Sequence, residues 1–414
     1  MLCLDVVQII CDFSDLKTQI NLISSCKEYD EYLKIRKLTS TDEINQQVTQ
    51  EILQQKKFNQ LRYLDVSYNK RITNVNHLKD TLIELNCNFD CGITQEGING
   101  LRKLQKLFAW SNNKITNVNH LKNTLTELNC SGFCGIRQEE INELQKLVRL
   151  TALCNEKITN VNHLKDTLIE LNCSGEDCGI TQEGINGLKK LQKLYASDNK
   201  TITNVNYLKD TLIVLNCHGN CGINQEGINS LKKLQELNVC GNNKITNVNH
   251  LKNTLIVLDC SWNDCGIGQE EINELRKLQK LNASDNEKIT NVNHLKNTLI
   301  ELDCSGICGI SQKGINGLEK LQKLKAWGNE NITNVNHFKN TLIELNCSQY
   351  SGINQKGINR LRKLQKLCMH NNIRIVNLKH LKNTLIELVC TKNSVIIQDR
   401  NSLRPDCEII ILPD

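Results

Sequence analysis

Six cysteine pairs separated by three or four residues recur along the chain: Cys87/Cys91, Cys130/Cys134, Cys173/Cys178, Cys217/Cys221, Cys260/Cys265 and Cys304/Cys308. Such pairs suit zinc, which needs two more ligands brought alongside. Seven of the nine histidines (His77, His120, His163, His250, His294, His337 and His380) share one spacing, as metal ligands or a pH sensor would. No Ser/His/Asp or Cys/His set stands apart from this background, and there is no phosphate-binding glycine loop. The sequence therefore implies neither an enzyme nor a cofactor or resident metal.

The elements that must position these residues follow from internal repetition. Ile-Thr-Asn-Val-Asn-His-Leu-Lys starts at Ile72 and returns near-unchanged to Ile375, in steps of 43 or 44 residues. Each unit divides again, giving sixteen halves of 21 to 23 residues between 61 and 394, each opening Leu-x-x-Leu-x-(small apolar or Cys). Type A halves continue through asparagine, as in Leu61, Leu64, Val66, Asn69, Ile72, Val75 and Leu78. Type B halves continue through Cys-Gly-Ile, as in Leu82, Leu85, Cys87, Cys91, Gly92, Ile93 and Ile98. The period of two in Leu-x-x-Leu-x-Val predicts one short strand per half. A 22-residue unit cannot bury its leucines alone, so neighbours must stack into a parallel sheet around one core. In type B, Gln-Glu-Gly-Ile predicts a helical turn; in type A, Thr-Asn-Val-Asn-His-Leu predicts an extended or 3₁₀ return.

These halves resemble leucine-rich repeats, and type B resembles the cysteine-containing subclass with one residue missing between Cys and Ile. The resemblance implies an α/β fold: a solenoid with a curved parallel sheet of sixteen repeats. Stacking then settles most of the chemistry. Equivalent cysteines fall two strands apart, roughly 9 to 10 Å, too far for a disulfide. Buried structural thiols are the expectation. The asparagines from Asn69 to Asn372 should bond backbone groups leaving each strand. Lys106, Lys193, Lys280, Lys323 and Lys366 alternate with Glu84, Glu127, Glu170, Glu301, Glu344 and Glu387, a ladder that fixes register.

Outward strand positions are free of the core, so a partner is expected there. Type B strands are monotonous, whereas type A strands vary and gather scarce aromatics. Tyr63, Asp65, Phe108, Trp110, Leu153, Tyr195, Lys325, Trp327 and His370 are the candidate contacts on the concave face. A lysine precedes each type B strand (Lys79, Lys122, Lys165, Lys209, Lys252, Lys296, Lys339, Lys382). Asp80, Asp166 and Asp210 adjoin three of them, and the net charge is only +6, so nucleic acid is not the expected partner.

Residues 1–38 lie outside the repeat. Val6, Ile9, Ile10 and Phe13 fall on one helical face, and Leu22, Cys26, Tyr29 and Leu33 on another. The run Leu2-Cys3-Leu4-Asp5-Val6-Val7-Gln8-Ile9-Ile10-Cys11-Asp12-Phe13, with Leu16, Ile20, Leu22 and Ser25-Cys26-Lys27, resembles an F-box. Cys3, Ser14, Ser25 and Tyr29 replace that family's proline, leucine, valine and tryptophan. F-box proteins with leucine-rich repeats, including those of giant DNA viruses that share this Asn/Lys/Ile-rich, proline-poor composition, combine the same parts. The resemblance implies docking on a Skp-type adaptor of a cullin–RING ubiquitin ligase through Leu2, Cys3, Ile9, Ile10, Phe13, Leu22 and Cys26. The repeats would hold the substrate protein. The other reading is a plain repeat scaffold whose first helices only cap the solenoid. Residues 39–60 are expected to form a polar helix capped by Ser40 or Thr41, and 395–414 a closing strand. No signal peptide or membrane-length apolar run is visible, so a reducing, cytoplasmic setting is expected, the nucleus included.

Overall fold

The computed structural model describes residues 4–39, 47–398 and 403–413. They form two compact units, one ending at Ile202 and one beginning at Thr203. In the first, three helices, α1 (Leu4–Phe13), α2 (Leu16–Ile23) and α3 (Lys27–Tyr32), precede eight strands. These are β1 (Lys37–Leu38), β2 (Tyr63–Asp65), β3 (Glu84–Asn86), β4 (Lys106–Phe108), β5 (Glu127–Asn129), β6 (Arg149–Thr151), β7 (Glu170–Asn172) and β8 (Lys193–Tyr195). All neighbours from β1 to β8 pair in parallel, leucine on leucine, as Leu64 on Leu85 and Leu85 on Leu107.

The second unit carries ten strands with the same parallel pairing. They are β9 (Val214–Asn216), β10 (Glu236–Asn238), β11 (Val257–Asp259), β12 (Lys280–Asn282), β13 (Glu301–Asp303), β14 (Lys323–Lys325), β15 (Glu344–Asn346), β16 (Lys366–Cys368), β17 (Glu387–Thr391) and β18 (Glu408–Leu412). This is a leucine-rich-repeat solenoid. In each rung the alternate residues turn inward and are buried, as Leu258 and Cys260 are, while Val257 and Asp259 face out. Type A halves return through 3₁₀ turns such as Asn249–Leu251, and type B through single α-turns such as Gln225–Ile228. In the first type B half, the segment at Gln95–Ile98 is a turn without helix.

The Cys-Gly-Ile turn is as tight as its missing residue suggests. A Cβ on Gly92 would sit 2.6 Å from the Lys70 carbonyl oxygen and 2.5 Å from that of Ile72. On Gly227, a Cβ would run into the Thr203 carbonyl oxygen, because the α-turn of one half rests directly on the return of the previous half. Gly227→Ala should therefore cost about 3 kcal/mol, the upper range for overpacking. Urea unfolding checks this against Gly268→Ala, where the nearest atom is the flexible Glu271 carboxylate at 3.4 Å.

Three features near the start differ from the sequence reading. The second helical face is broken: α2 buries Leu16, Gln19 and Ile23, Cys26 becomes the N-cap of α3, and Leu33 is buried beyond α3's end. Ser40 and Thr41 lie outside the described residues. In place of a long helix, the described part of 39–60 holds one α-turn (Gln50–Leu53) capped by Thr49, then a 3₁₀ turn (Lys56–Phe58). Finally, β1 adds a strand before the first repeat, pairing Leu38 with Leu64. Leu33, Ile35, Leu38, Val48, Leu53 and Phe58 are all buried and close that end of the core. The final strand forms where expected, with β18 pairing along all five residues of β17.

Candidate functional site

Helix α1 presents two different faces. Val7 and Cys11 are buried, and burial pushes the Cys11 thiol pKa up, aided by Asp12 and opposed by Arg36. Asp12 pairs with Arg36 at 3.0 Å, and Gln8 exchanges two hydrogen bonds with the backbone of Lys34, so the helix is tied in place. The opposite face holds Val6, Ile9, Ile10 and Phe13, all exposed, Phe13 by 89%. Cys26 is exposed and Leu22 partly so, whereas Leu2 and Cys3 lie outside the described residues.

On the sheet face, the first outward row is the expected charge ladder. Lys106 sits 3.2 Å from Glu84 and 3.8 Å from Glu127; Lys323 sits 3.9 Å from Glu301 and 3.2 Å from Glu344. Arg149, not singled out in the sequence, takes the cation's place between Glu127 and Glu170. A groove of about 440 Å³ runs over β11–β17 along this row.

The second outward row explains why type B strands are monotonous. Asn129, Asn172, Asp259, Asp303 and Asn346 each accept from the backbone N–H two residues on, satisfying a donor as the chain leaves the sheet. Asp65 does the same for Ser67, which occupies it structurally. Phe108, Thr151, Lys325 and Cys368 replace that acceptor and forgo the bond. At Phe108's rung the orphaned N–H, that of Trp110, donates instead to Asn88. Tyr63, Trp110 and Trp327 are exposed, and Phe108, Leu153 and Tyr195 partly so. Lys325 pairs with Asp303 at 3.5 Å, and His370 donates from Nε2 to the Pro413 carbonyl at 2.7 Å.

Trp110 belongs to a larger group. Tyr68 stacks on Phe89 at 4.5 Å with 12° between planes, and Phe89 meets Trp110 at 4.9 Å. Tyr68, Phe89 and Trp262 occupy left-handed backbone, with φ of 62°, 59° and 75°, at a position that elsewhere holds Gly, Ser, Asp, Asn, Cys or Gln. Aromatic side chains there are strained. Sequence reasoning missed them because it followed strand positions; bulky residues in a glycine column were the available signal.

The strand and turn cysteines of the type B halves are buried thiols, whereas Cys26 and Cys154 are exposed and Cys240 and Cys368 partly so. Cys87 and Cys304 each donate through Sγ to a carbonyl on the next strand at 3.4 Å, while the Cys91 sulfur accepts from Ile93 N–H at 3.5 Å. Burial pushes the turn thiols up, Cys91, Cys134, Cys178 and Cys265 to about 11 and Cys308 to about 12. Among the described residues no three His, Cys, Asp or Glu side chains converge as a metal site requires. The repeated histidines lie against the neighbouring rung, His120 Nε2 donating to Ile98 O at 3.0 Å and His380 to Ile358 O at 3.0 Å. Partial burial lowers their pKa, and the carbonyl contact opposes it. Among the described residues no helix is long and apolar enough to cross a membrane.

No protein-family model and no curated protein matches the chain. Among solved structures it is similar to the functional domain of InlJ from Listeria monocytogenes, described as including a cysteine ladder. That match has 22% identity, 76% of this chain and 75% of the other covered, and a TM-score of 0.47. The yeast Rad7–Elc1 complex structure matches at 16% identity, 82% and 92% coverage, and TM-score 0.47. The mouse RP105/MD-1 complex matches at 12%, 88% and 77%, and 0.49.

Proposed function

We propose that this is a non-enzymatic recognition protein of the cell interior, in which α1 docks on a Skp-type ubiquitin-ligase adaptor and the sheet face receives the substrate protein. The observation that carries the first half is the unused face of α1. Were the early helices only a cap, their apolar residues would be spent on the first repeat. Leu33, Ile35, Leu38, Val48, Leu53 and Phe58 already close that end, and Val6, Ile9, Ile10 and Phe13 are left in solvent. An amphipathic helix with such a stripe suits a hydrophobic groove. Leu2, Cys3, Leu22 and Cys26 are proposed to extend this contact. In co-purification with a Skp-type adaptor, Ile10→Asp and Phe13→Asp should each abolish capture. Both residues are exposed, so the melting midpoint should hardly move. Failure of the unaltered chain to retain any such adaptor sinks this reading in favour of the plain scaffold.

The second half rests on type A rungs that give up a stabilising acceptor. Phe108 beside Trp110, and Lys325 beside Trp327, sit where an Asn or Asp would have satisfied the backbone; residues that matter only for stacking would have kept it. Exposed tryptophan is a typical interface anchor. Phe108→Ala with Trp110→Ala, and separately Lys325→Ala with Trp327→Ala, should each weaken substrate capture by roughly tenfold or more, the scale of a single hot spot. Adaptor binding serves as the internal control, and unchanged capture by both double variants rejects the assignment. Tyr63, Leu153, Tyr195 and His370 are proposed as flanking contacts.

A further inference from the structure

The edge of the sheet where strands begin carries a second surface, densest in the second unit. Each type B strand there is preceded by a junction lysine, and three of the type A strands by a basic pair: Lys232-Lys233, Arg276-Lys277 and Arg362-Lys363. All of these are exposed. Backbone hydrogen bonds set them side by side, Lys232 N–H donating to Lys209 O and Arg362 N–H to Lys339 O, both at 3.3 Å. With Lys320, they face only two carboxylates at equivalent positions, Asp210 and Glu319. Among the described residues none of these cations is in an ion pair, in contrast to the strand-face lysines Lys280, Lys323 and Lys366 three residues further along the chain.

The row also has relief. Arg362, Lys363, Gln365, Asn383, Thr384 and Arg404 line one concavity of about 380 Å³ together with apolar Ile343 and Ile386. Arg404 is held there by Asp406. Between the cations stand Asn and Thr side chains, such as Asn253-Thr254 and Asn297-Thr298. Arg and Lys interleaved with Asn, Gln and Thr is the donor set that contacts phosphate oxygens. The exposed Trp262 and Trp327, which suit a protein partner, lie beyond the opposite ends of their strands. The two surfaces are chemically distinct, and this one lacks the aromatic anchors a protein interface favours.

We propose that the strand-entry edge of the second unit binds the phosphodiester backbone of nucleic acid without reading its bases. This goes beyond the protein-recognition reading and stands whether or not that reading holds. The test uses the full chain with three fluorescent probes: a 20-nucleotide single-stranded RNA, a 20-base-pair duplex DNA, and polyglutamate of comparable charge. One or both nucleic acids should bind with micromolar affinity at low salt, and log affinity should fall linearly with log salt. The quadruple variant Arg276→Gln, Lys277→Gln, Arg362→Gln, Lys363→Gln should lose at least tenfold. For duplex, its salt slope should shrink by roughly 3 to 4, at about 0.9 per phosphate contact. Its fold is checked by the melting midpoint, which should match the unaltered chain. Comparing RNA with DNA tells which backbone geometry is preferred. The proposal is overturned if neither nucleic acid binds, if the quadruple variant binds as well as the unaltered chain, or if polyglutamate binds more tightly than both.

Discussion

Raising the pH above about 9 in reducing buffer should unfold this protein steeply and reversibly. The unfolded chain begins to lose thiol protons near 9, whereas Cys91, Cys134, Cys178 and Cys265 keep theirs to about 11 in the folded state. The cause is burial in an apolar stack. Between those values the folded state holds more protons, so stability is complete below 9 and declines as pH rises toward 11. Each such thiol contributes a slope of about 1.4 kcal/mol per pH unit, and the four give about 5.6, against a typical total of roughly 5 to 15 kcal/mol. Melting midpoints between pH 7.5 and 10.5 measure this. A control for tyrosine and lysine titration is already written in the chain, because the last two type B halves, starting at Leu342 and Leu385, use serine at the turn. There Ser351 Oγ accepts from Ile353 N–H at 3.4 Å, as Cys91 does from Ile93. Cys91→Ser with Cys134→Ser and Cys265→Ser should therefore fold at pH 7.5 and show a visibly flatter alkaline slope. An unchanged slope would assign the transition to other groups.

Asn286→Ala should cost about 3 to 5 kcal/mol, more than truncation of any exposed asparagine. The Asn286 amide is fully buried; its Nδ2 donates to Cys260 O at 2.7 Å and Ile267 O at 3.2 Å, and its Oδ1 accepts from Lys288 N–H at 3.0 Å. Alanine leaves those backbone groups without a partner, each at a cost of roughly 1 to 3 kcal/mol. Asn286→Asp should be nearly as harmful, since a carboxylate can replace the acceptor but not the donor. Urea midpoints compared with exposed Asn297→Ala decide the matter, and a loss below about 1 kcal/mol would mean that water enters to replace the amide.

What the sequence made legible followed from period. Leu64, Leu85 and Leu107 recur with a spacing that only stacked strands satisfy, and Asn112 or Asn286 fall where each chain leaves the sheet. The Lys/Glu alternation needed only the strand register to become ion pairs. Other features carry no period of their own. A two-residue strand such as Lys37–Leu38 looks like any polar-apolar pair until its neighbour Leu64 is in place. Gln95 looks like a solvent-facing residue, yet its amide accepts from Thr116 and Asn117 N–H and donates to Asn117 O, imitating a strand edge across the gap between halves. On α1, the stripe Val6, Ile9, Ile10 and Phe13 was visible as amphipathic, but the letters could not say which face the protein uses. Val7 and Cys11 are the buried pair, and the more apolar face is left outside.

The two alternating halves impose a parity rule on how this protein can grow. Asn112 reaches back to the carbonyls of Cys87 and Ile93 in the preceding half, and Lys106 sits between Glu84 and Glu127. Deleting one half of about 22 residues would bring Glu84 against Glu127, or one basic strand against another, and would set two amide turns or two thiol turns side by side. Removing or duplicating a full 43- or 44-residue unit leaves every contact with a suitable neighbour. Gene duplication can therefore lengthen or shorten the array in even steps with little penalty, while odd steps are selected against at each rung.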